Sequence, residues 1–277
     1  MGTLASDAMR FGIQLCTLGA FADPRETVRV AVAAEEAGWE ALLVWDHLAW
    51  ASRGAASADP WVTLGACAAA TSRILLGTAV TPLPRRRPQM VAQQLATLSL
   101  ASGGRVVFGA GLGGPREEFE RFGEDGEPRV RAEQLDEGLE LVSRLLAGER
   151  VRHRGAHYVA DDVTLAPVPA RRIPFWIGGM SPRALRRAAR WDGWLGDTSD
   201  GERNVTTPAE IAERVATLRA AGAGPEFDVC FIGYSLQADL ASYAAAGVTW
   251  WIENVRGAPG DVRRRVALGP PAETLLT

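Results

Sequence analysis

Residues 74–111, ILLGTAVTPLPRRRPQMVAQQLATLSLASGGRVVFGAG, hold two apolar runs and the segment that joins them. The first run, rich in Ile, Leu and Val, passes into a proline- and arginine-rich loop. Apolar residues at helical spacing follow from Pro88 to Leu100, and after Gly103-Gly104 the chain returns to a second run rich in Val and Phe. Both runs are continuously hydrophobic rather than alternating, which marks strands buried on both faces, and a helix between two such strands is the crossover that makes them parallel.

The same unit repeats outward in both directions. Further strand-like runs occur at RFGIQLC, ALLVW, PFWIGG, GWLGD, DVCFIGY and VTWWIE. Helical spacing occurs at Thr27–Ala37, Pro60–Ala70, Val130–Ala147, Pro182–Ala189, Pro208–Ala221, Asp239–Ala246 and Asp261–Leu268. Eight strands alternating with helices imply an α/β fold, a single-domain (β/α)₈ TIM barrel over residues 9–277, close to the roughly 250 residues typical of that architecture. An open doubly wound sheet would more often have about six strands and a nucleotide fingerprint in its first unit. Residues 1–8 carry no pattern and read as a disordered leader. Residues 151–168, VRHRGAHYVADDVTLAPV, interrupt the alternation and read as a hairpin inserted before the fifth strand.

Composition narrows the function. With 277 residues, 47% hydrophobic, net charge −3 and no long apolar run, the sequence describes a soluble cytoplasmic enzyme rather than a membrane or nucleic-acid-binding protein. Cys16, Cys67 and Cys230 are widely spaced in apolar surroundings and give no disulfide framework or zinc site. Lysine is absent, which excludes Schiff-base and P-loop lysine chemistry and leaves anions to arginine and backbone N–H groups. His153 and His157 lie on the hairpin without a third ligand and read as packing residues.

In a parallel barrel the C-terminal strand ends build the active site. The second strand ends in Asp46-His47. His47 stands as a candidate hydrogen-bond donor or acid/base, and Asp46 as the group that orients the imidazole or caps local backbone. After the third strand, the small side chains of Thr78 and Ala79 leave room for a planar ring, and Arg85–Arg87 either meet an anionic tail or are solvated. The fourth strand ends in GAGLGGPREEF, a G-x-G-x-x-G match at Gly109, Gly111 and Gly114 without the Rossmann acidic residue in its expected place; the glycines permit close approach of a flat or phosphorylated ligand. The fifth ends in WIGGMSPRAL, where Gly178-Gly179 precedes a helix with Ser181 as N-cap, Pro182 in its first turn and Arg183 as a further anion ligand.

Taken in order, ALLVWDHL, LLGTAVTPLPRRRP, LATLSLASGGRVVFGAGLGG, EEFERFGE, RAEQLDEGLELVSRLLAGE, RGAHY, LAPVPARRIPFWIGGMSPRALRRAARWDGWL and AAAGVTWWIE resemble the bacterial luciferase-like family of flavin-dependent oxidoreductases, over residues 10 to 255. The resemblance implies a barrel holding reduced FMN or coenzyme F420, with F420 preferred, for hydride transfer to a small organic substrate or its monooxygenation, in a homodimer. It places Asp46 and His47 over the ring and substrate. It assigns Thr78, Ala79 and Val80 to the bulge behind the ring, which holds a non-prolyl cis peptide in F420-binding relatives, Gly111 and Gly113 to the ribityl chain, and Gly178, Gly179 and Ser181 to the phosphate. Gly114 stands where some relatives have a proton-donating glutamate, and Glu117 and Glu118 come too late to replace it. The lid after the seventh strand is missing, which leaves a bulky substrate, a partner subunit or the hairpin to shield the site. A non-catalytic flavin-binding protein of the same fold is the alternative, and Asp46 with His47 favours the enzyme.

Overall fold

The computed structural model describes residues 9–48, 56–197 and 203–271; the leader at 1–8 and Trp50 lie outside the described residues. In chain order the elements are β1 (Arg10–Leu15), α1 (Pro24–Glu36), β2 (Ala41–Val44), α2 (Pro60–Ala70), β3 (Leu75–Thr78), β4 (Thr81–Pro82), α3 (Pro88–Ser102), β5 (Val106–Gly111) and α4 (Glu117–Glu120). There follow α5 (Pro128–Leu146), β6 (Val151–Arg154), β7 (Val159–Val163), β8 (Phe175–Gly178), α6 (Pro182–Ala188), β9 (Gly193–Asp197), α7 (Pro208–Ala220), β10 (Asp228–Gly233), α8 (Leu240–Ala245), β11 (Trp250–Val255) and α9 (Pro259–Val266).

The strands β3-β2-β1-β11-β10-β9-β8-β5 pair in parallel, and β3 pairs again with β5 to close an eight-stranded barrel, with the two-residue β4 beside β5. The register runs Ile13↔Leu42↔Leu76↔Val106 around the closure. Side-chain alternation divides the core. Ile13, Leu42, Leu76 and Phe108 face outward to the helices, while Leu43, Val107, Leu195 and Ile252 fill the barrel interior. At its N-terminal end the carboxylate of Asp228 accepts both interior indoles, Trp176 and Trp250, at 3.0 Å each.

Helix starts follow local chemistry. Asp23, Asp59, Ser181 and Thr207 each cap a helix that begins with proline, satisfying N–H groups that a first turn leaves unpaired. Pairing sets the closest approaches. A Cβ on Gly109 would lie 1.7 Å from the Thr78 carbonyl oxygen, so β5 meets β3 there only as glycine. The insertion is an antiparallel hairpin, β6 with β7, and it docks on α5. Glu137 accepts the Nε2 contact of His153 at 2.7 Å and the N–H groups of His157 and Tyr158. Among the described residues, no helix is long and apolar enough to cross a membrane.

Candidate functional site

The C-terminal ends of the strands enclose a cavity of about 530 Å³. Its walls come from Gln14 on β1, Trp45-Asp46-His47 after β2, Ala79 and Val80 after β3, Gly111–Pro115 after β5, Gly178–Ser181 after β8, Leu195 and Asp197 on β9, and Ile232 on β10. Eight of the eleven residues singled out in the sequence meet here: Asp46, His47, Ala79, Val80, Gly111, Gly113, Gly178 and Gly179, with Ser181 at the edge as a ninth. Thr78 and Arg183 do not.

Thr78 is fully buried behind the cavity wall. Its hydroxyl donates to the Gly109 carbonyl at 2.7 Å and accepts from Thr81 at 3.1 Å, so it ties the bulge to β5 instead of offering room for a ring. The bulge follows at once. The Ala79–Val80 peptide is cis, Ala79 N–H donates to Val44 O at 2.9 Å, and Gln14 Nε2 donates to Ala79 O at 3.1 Å. Arg183 is exposed on α6 and lines a separate outer groove between α5 and α6.

The glycines serve the bulge more than they serve a ligand directly. A Cβ on Gly111 would sit 2.7 Å from Val80 Cγ2, one on Gly178 2.9 Å from Val80 Cγ1, and one on Gly113 2.4 Å from Pro82 Cβ. Val80 is therefore wedged between two bare backbones, and its isopropyl group forms the wall that the cavity sees. Gly179 has φ +128°, open to glycine, and its carbonyl accepts the Trp194 indole at 2.7 Å, which fixes the turn before the Ser181 cap.

Asp46 does not orient His47. It is buried, and its carboxylate is held by Arg86 Nε and Nη2 at 2.8 Å each and by Arg85 Nη2 at 3.2 Å, while its carbonyl accepts from Arg85 Nη2 at 2.8 Å. Two of the three arginines are therefore committed to carboxylates, Arg85 at 5% exposed and Arg86 at 20%, while Arg87 is exposed to solvent. The partner of His47 is Glu118, whose Oε2 lies 2.9 Å from Nδ1. The same carboxylate accepts Arg85 Nη1 at 2.7 Å and Leu48 N–H at 3.1 Å. Burial pushes the Glu118 carboxyl up, but the contacts with His47 and Arg85 outweigh it and hold the group below the usual glutamate value.

Glu118 does not line the cavity, as its late place in the loop implied, but it reaches the His47 ring, a contact that sequence reasoning missed. The available signal was its position: an acidic residue within one turn of a strand-end loop already marked as functional. The hairpin contributes no residue to the cavity wall and does not shield it.

One polar atom in the cavity wall is unpaired: Gln14 Oε1, buried and without a hydrogen-bond partner. A flat wall built by Val80, an unpaired acceptor at its edge and a glycine turn with a capped helix fit a ring system that bears N–H donors and a phosphorylated chain, which is the chemistry of a flavin or deazaflavin.

The chain is similar to known proteins over almost its whole length. The profile of luciferase-like monooxygenases matches residues 9–265. The chain is 39% identical to an F420-dependent glucose-6-phosphate dehydrogenase of Microbacterium testaceum, over 60% of this chain and 50% of that one. It is 34% identical to an F420-dependent hydroxymycolic acid dehydrogenase of Mycobacterium tuberculosis, over 70% and 54% respectively. The chain thus matches only about half the length of each relative. Among solved structures, an F420-dependent secondary alcohol dehydrogenase in complex with an F420–acetone adduct superposes with a TM-score of 0.77 at 19% identity, covering 95% of this chain and 99% of the other.

Proposed function

The chain belongs to the luciferase-like monooxygenase family, and from that premise we propose that it is an oxidoreductase which binds coenzyme F420, or alternatively FMN, in the barrel-mouth cavity and exchanges a hydride with a small hydroxyl- or carbonyl-bearing substrate. The observation that carries this reading is the placement of the His47 imidazole in the same cavity wall as the Val80 bulge and the unpaired Gln14 acceptor. A binding protein would need the seat but no titratable group beside it.

The bound deazaflavin or flavin supplies the two-electron chemistry. The protein's own residues do the rest. Val80 would back the ring, Gln14 Oε1 would accept from a ring N–H, and Gly178, Gly179 and Ser181 would hold the phosphate end. In the oxidative direction the C–H bond of an alcohol would pass its electron pair, as hydride, to the bound cofactor, the C–O bond would become C=O, and the hydroxyl proton would go to His47; reduction would return both. Apolar walls from Leu112, Met180, Leu195 and Ile232 exclude water from the transfer. The F420-dependent dehydrogenases among the relatives support hydride transfer over oxygen insertion.

A cytoplasmic homodimer completes the proposal. Val62 on α2 and Met90 and Leu100 on α3 are half-exposed or more, and a second copy would cover them. Stopped-flow reduction of F420 by a panel of secondary alcohols tests the function. His47→Ala is expected to bind F420 as the parent does and to react about 10²–10⁴ times more slowly. Equal rates would remove His47 from the chemistry.

A further inference from the structure

Among the described residues, three groups meet the Glu118 carboxylate. The backbone N–H of Leu48 reaches Oε1 at 3.1 Å, Arg85 Nη1 reaches Oε2 at 2.7 Å, and the same Oε2 faces His47 Nδ1 at 2.9 Å, with the glutamate side chain fully buried. A carboxyl held below the usual glutamate value is ionised at neutral pH, and an ionised carboxylate has no hydrogen to give. The hydrogen in the contact with His47 therefore belongs to Nδ1. A neutral imidazole protonated on Nδ1 carries its lone pair on Nε2.

We propose that Glu118 is the positioning residue of the site: it fixes His47 with the proton on Nδ1, so that Nε2 is the atom that accepts the substrate's hydroxyl proton, and it stands beside the imidazolium that results. The proposal rests on the reading of His47 as proton acceptor. The other charged groups around the imidazole divide the work. Asp46, on the same segment, is committed to Arg85 and Arg86; Arg85 is shared between the two carboxylates; Asp197 of β9 lies across the cavity; and Arg256, beyond β11, stacks on Trp45 at 5.6 Å. Among these described groups, the carboxylate that meets the His47 ring is that of Glu118.

Glu118→Gln probes this role because the amide keeps the shape of the side chain but replaces one acceptor oxygen by a donor. With its oxygen toward Arg85 and His47, its NH₂ meets the Leu48 N–H. Turned over, its NH₂ meets Arg85 and presses a hydrogen on Nδ1, which favours the opposite tautomer.

The test begins with cofactor-free protein labelled with ¹⁵N-histidine. The chain has three histidines, so His47→Ala identifies the resonances of His47 by their loss. On the alkaline side of its titration the parent is expected to show a protonated Nδ1 and a bare Nε2, and Glu118→Gln a mixed or reversed tautomer. In turnover with F420 and a secondary alcohol, Glu118→Gln should lower kcat by about 10²–10⁴, as loss of a positioned acid/base group does. It should leave the Kd for F420 unchanged and add nothing further in a His47→Ala background. A parent protonated on Nε2 overturns the proposal without any Glu118 variant needing to fold. So do losses that multiply in the double variant, or a Glu118→Gln protein that melts lower but turns over normally per folded molecule. If His47→Ala is slow and Glu118→Gln is not, this proposal alone fails; if His47→Ala turns over like the parent, the acid–base reading falls and takes the proposal with it.

Discussion

Replacing Asp46 separates a structural carboxylate from a chemical one. Its side chain is 2% exposed and receives three guanidinium bonds, two from Arg86 at 2.8 Å and one from Arg85 at 3.2 Å. In Asp46→Ala, Arg86 keeps only the longer contact with Asp59 at 3.5 Å, and Arg85 keeps Glu118. Removing one partner of a buried ion pair costs about 3–5 kcal/mol, because the other charge stays buried. For a domain of this size each kcal/mol moves the melting temperature by about 2–4 °C, so Asp46→Ala should melt roughly 6–20 °C below the parent. Asp46→Asn retains one acceptor oxygen and should lose the smaller part of that. Since no contact joins Asp46 to the His47 ring, single-turnover rates per folded molecule should change far less than in His47→Ala. The assay is thermal melting beside stopped-flow reduction of F420 on the same preparations. A variant that melts with the parent yet has lost turnover as completely as His47→Ala would show that Asp46 acts on the reaction, and the clamp described above would be the wrong account.

Glu35, on α1, accepts the N–H groups of Ser72, Arg73 and Ile74 ahead of β3; burial pushes its carboxyl up, but these bonds outweigh it and bring it to about 2 from the usual 4.5. A carboxyl lowered in the folded state stabilises fully above its unfolded value and loses that contribution as pH falls from about 4.5 toward 2, so Glu35→Gln should melt lower at neutral pH and show a flatter acid limb in a melting-against-pH series. Gly109→Ala places a Cβ 1.7 Å from the Thr78 carbonyl, between two paired strands that cannot separate; a loss above about 4 kcal/mol is expected, read as soluble yield and melting temperature. Gly178→Ala brings a Cβ 2.9 Å from Val80 Cγ1, which can yield only into the cavity; F420 affinity should fall about tenfold or more with little change in melting, measured by fluorescence titration.

The barrel was legible because parallel strands buried on both faces write themselves as unbroken apolar runs, and because Ser181 announces a helix start before proline. The strand ends then pointed to the cavity, so that Asp46, His47, Gly111 and Gly178 could be named without coordinates, and the family resemblance added Val80. What each does there was less legible, since roles depend on contacts far apart in sequence. Glu118 meets His47 across 71 positions because the loop after β5 turns back through Gly113 at φ +73° into the one-turn helix α4. A run of three arginines between prolines reads as a solvated loop, and only the closed barrel sets Asp46 and Glu118 against Arg85 and Arg86. Thr78 was misjudged because its hydroxyl is committed to Gly109 on β5, and the next two residues, Ala79 and Val80, are the ones that the cavity meets.

The central claim, that this cavity seats a deazaflavin or flavin ring against Val80 beside His47, is tested most directly by titrating the purified protein with F420 and with FMN and following cofactor fluorescence. The account predicts saturable binding of one cofactor per chain, tighter for F420, weakened in Gly178→Ala and unchanged in His47→Ala. Absence of saturable binding by either cofactor, or binding that is indifferent to Gly178→Ala, would contradict it.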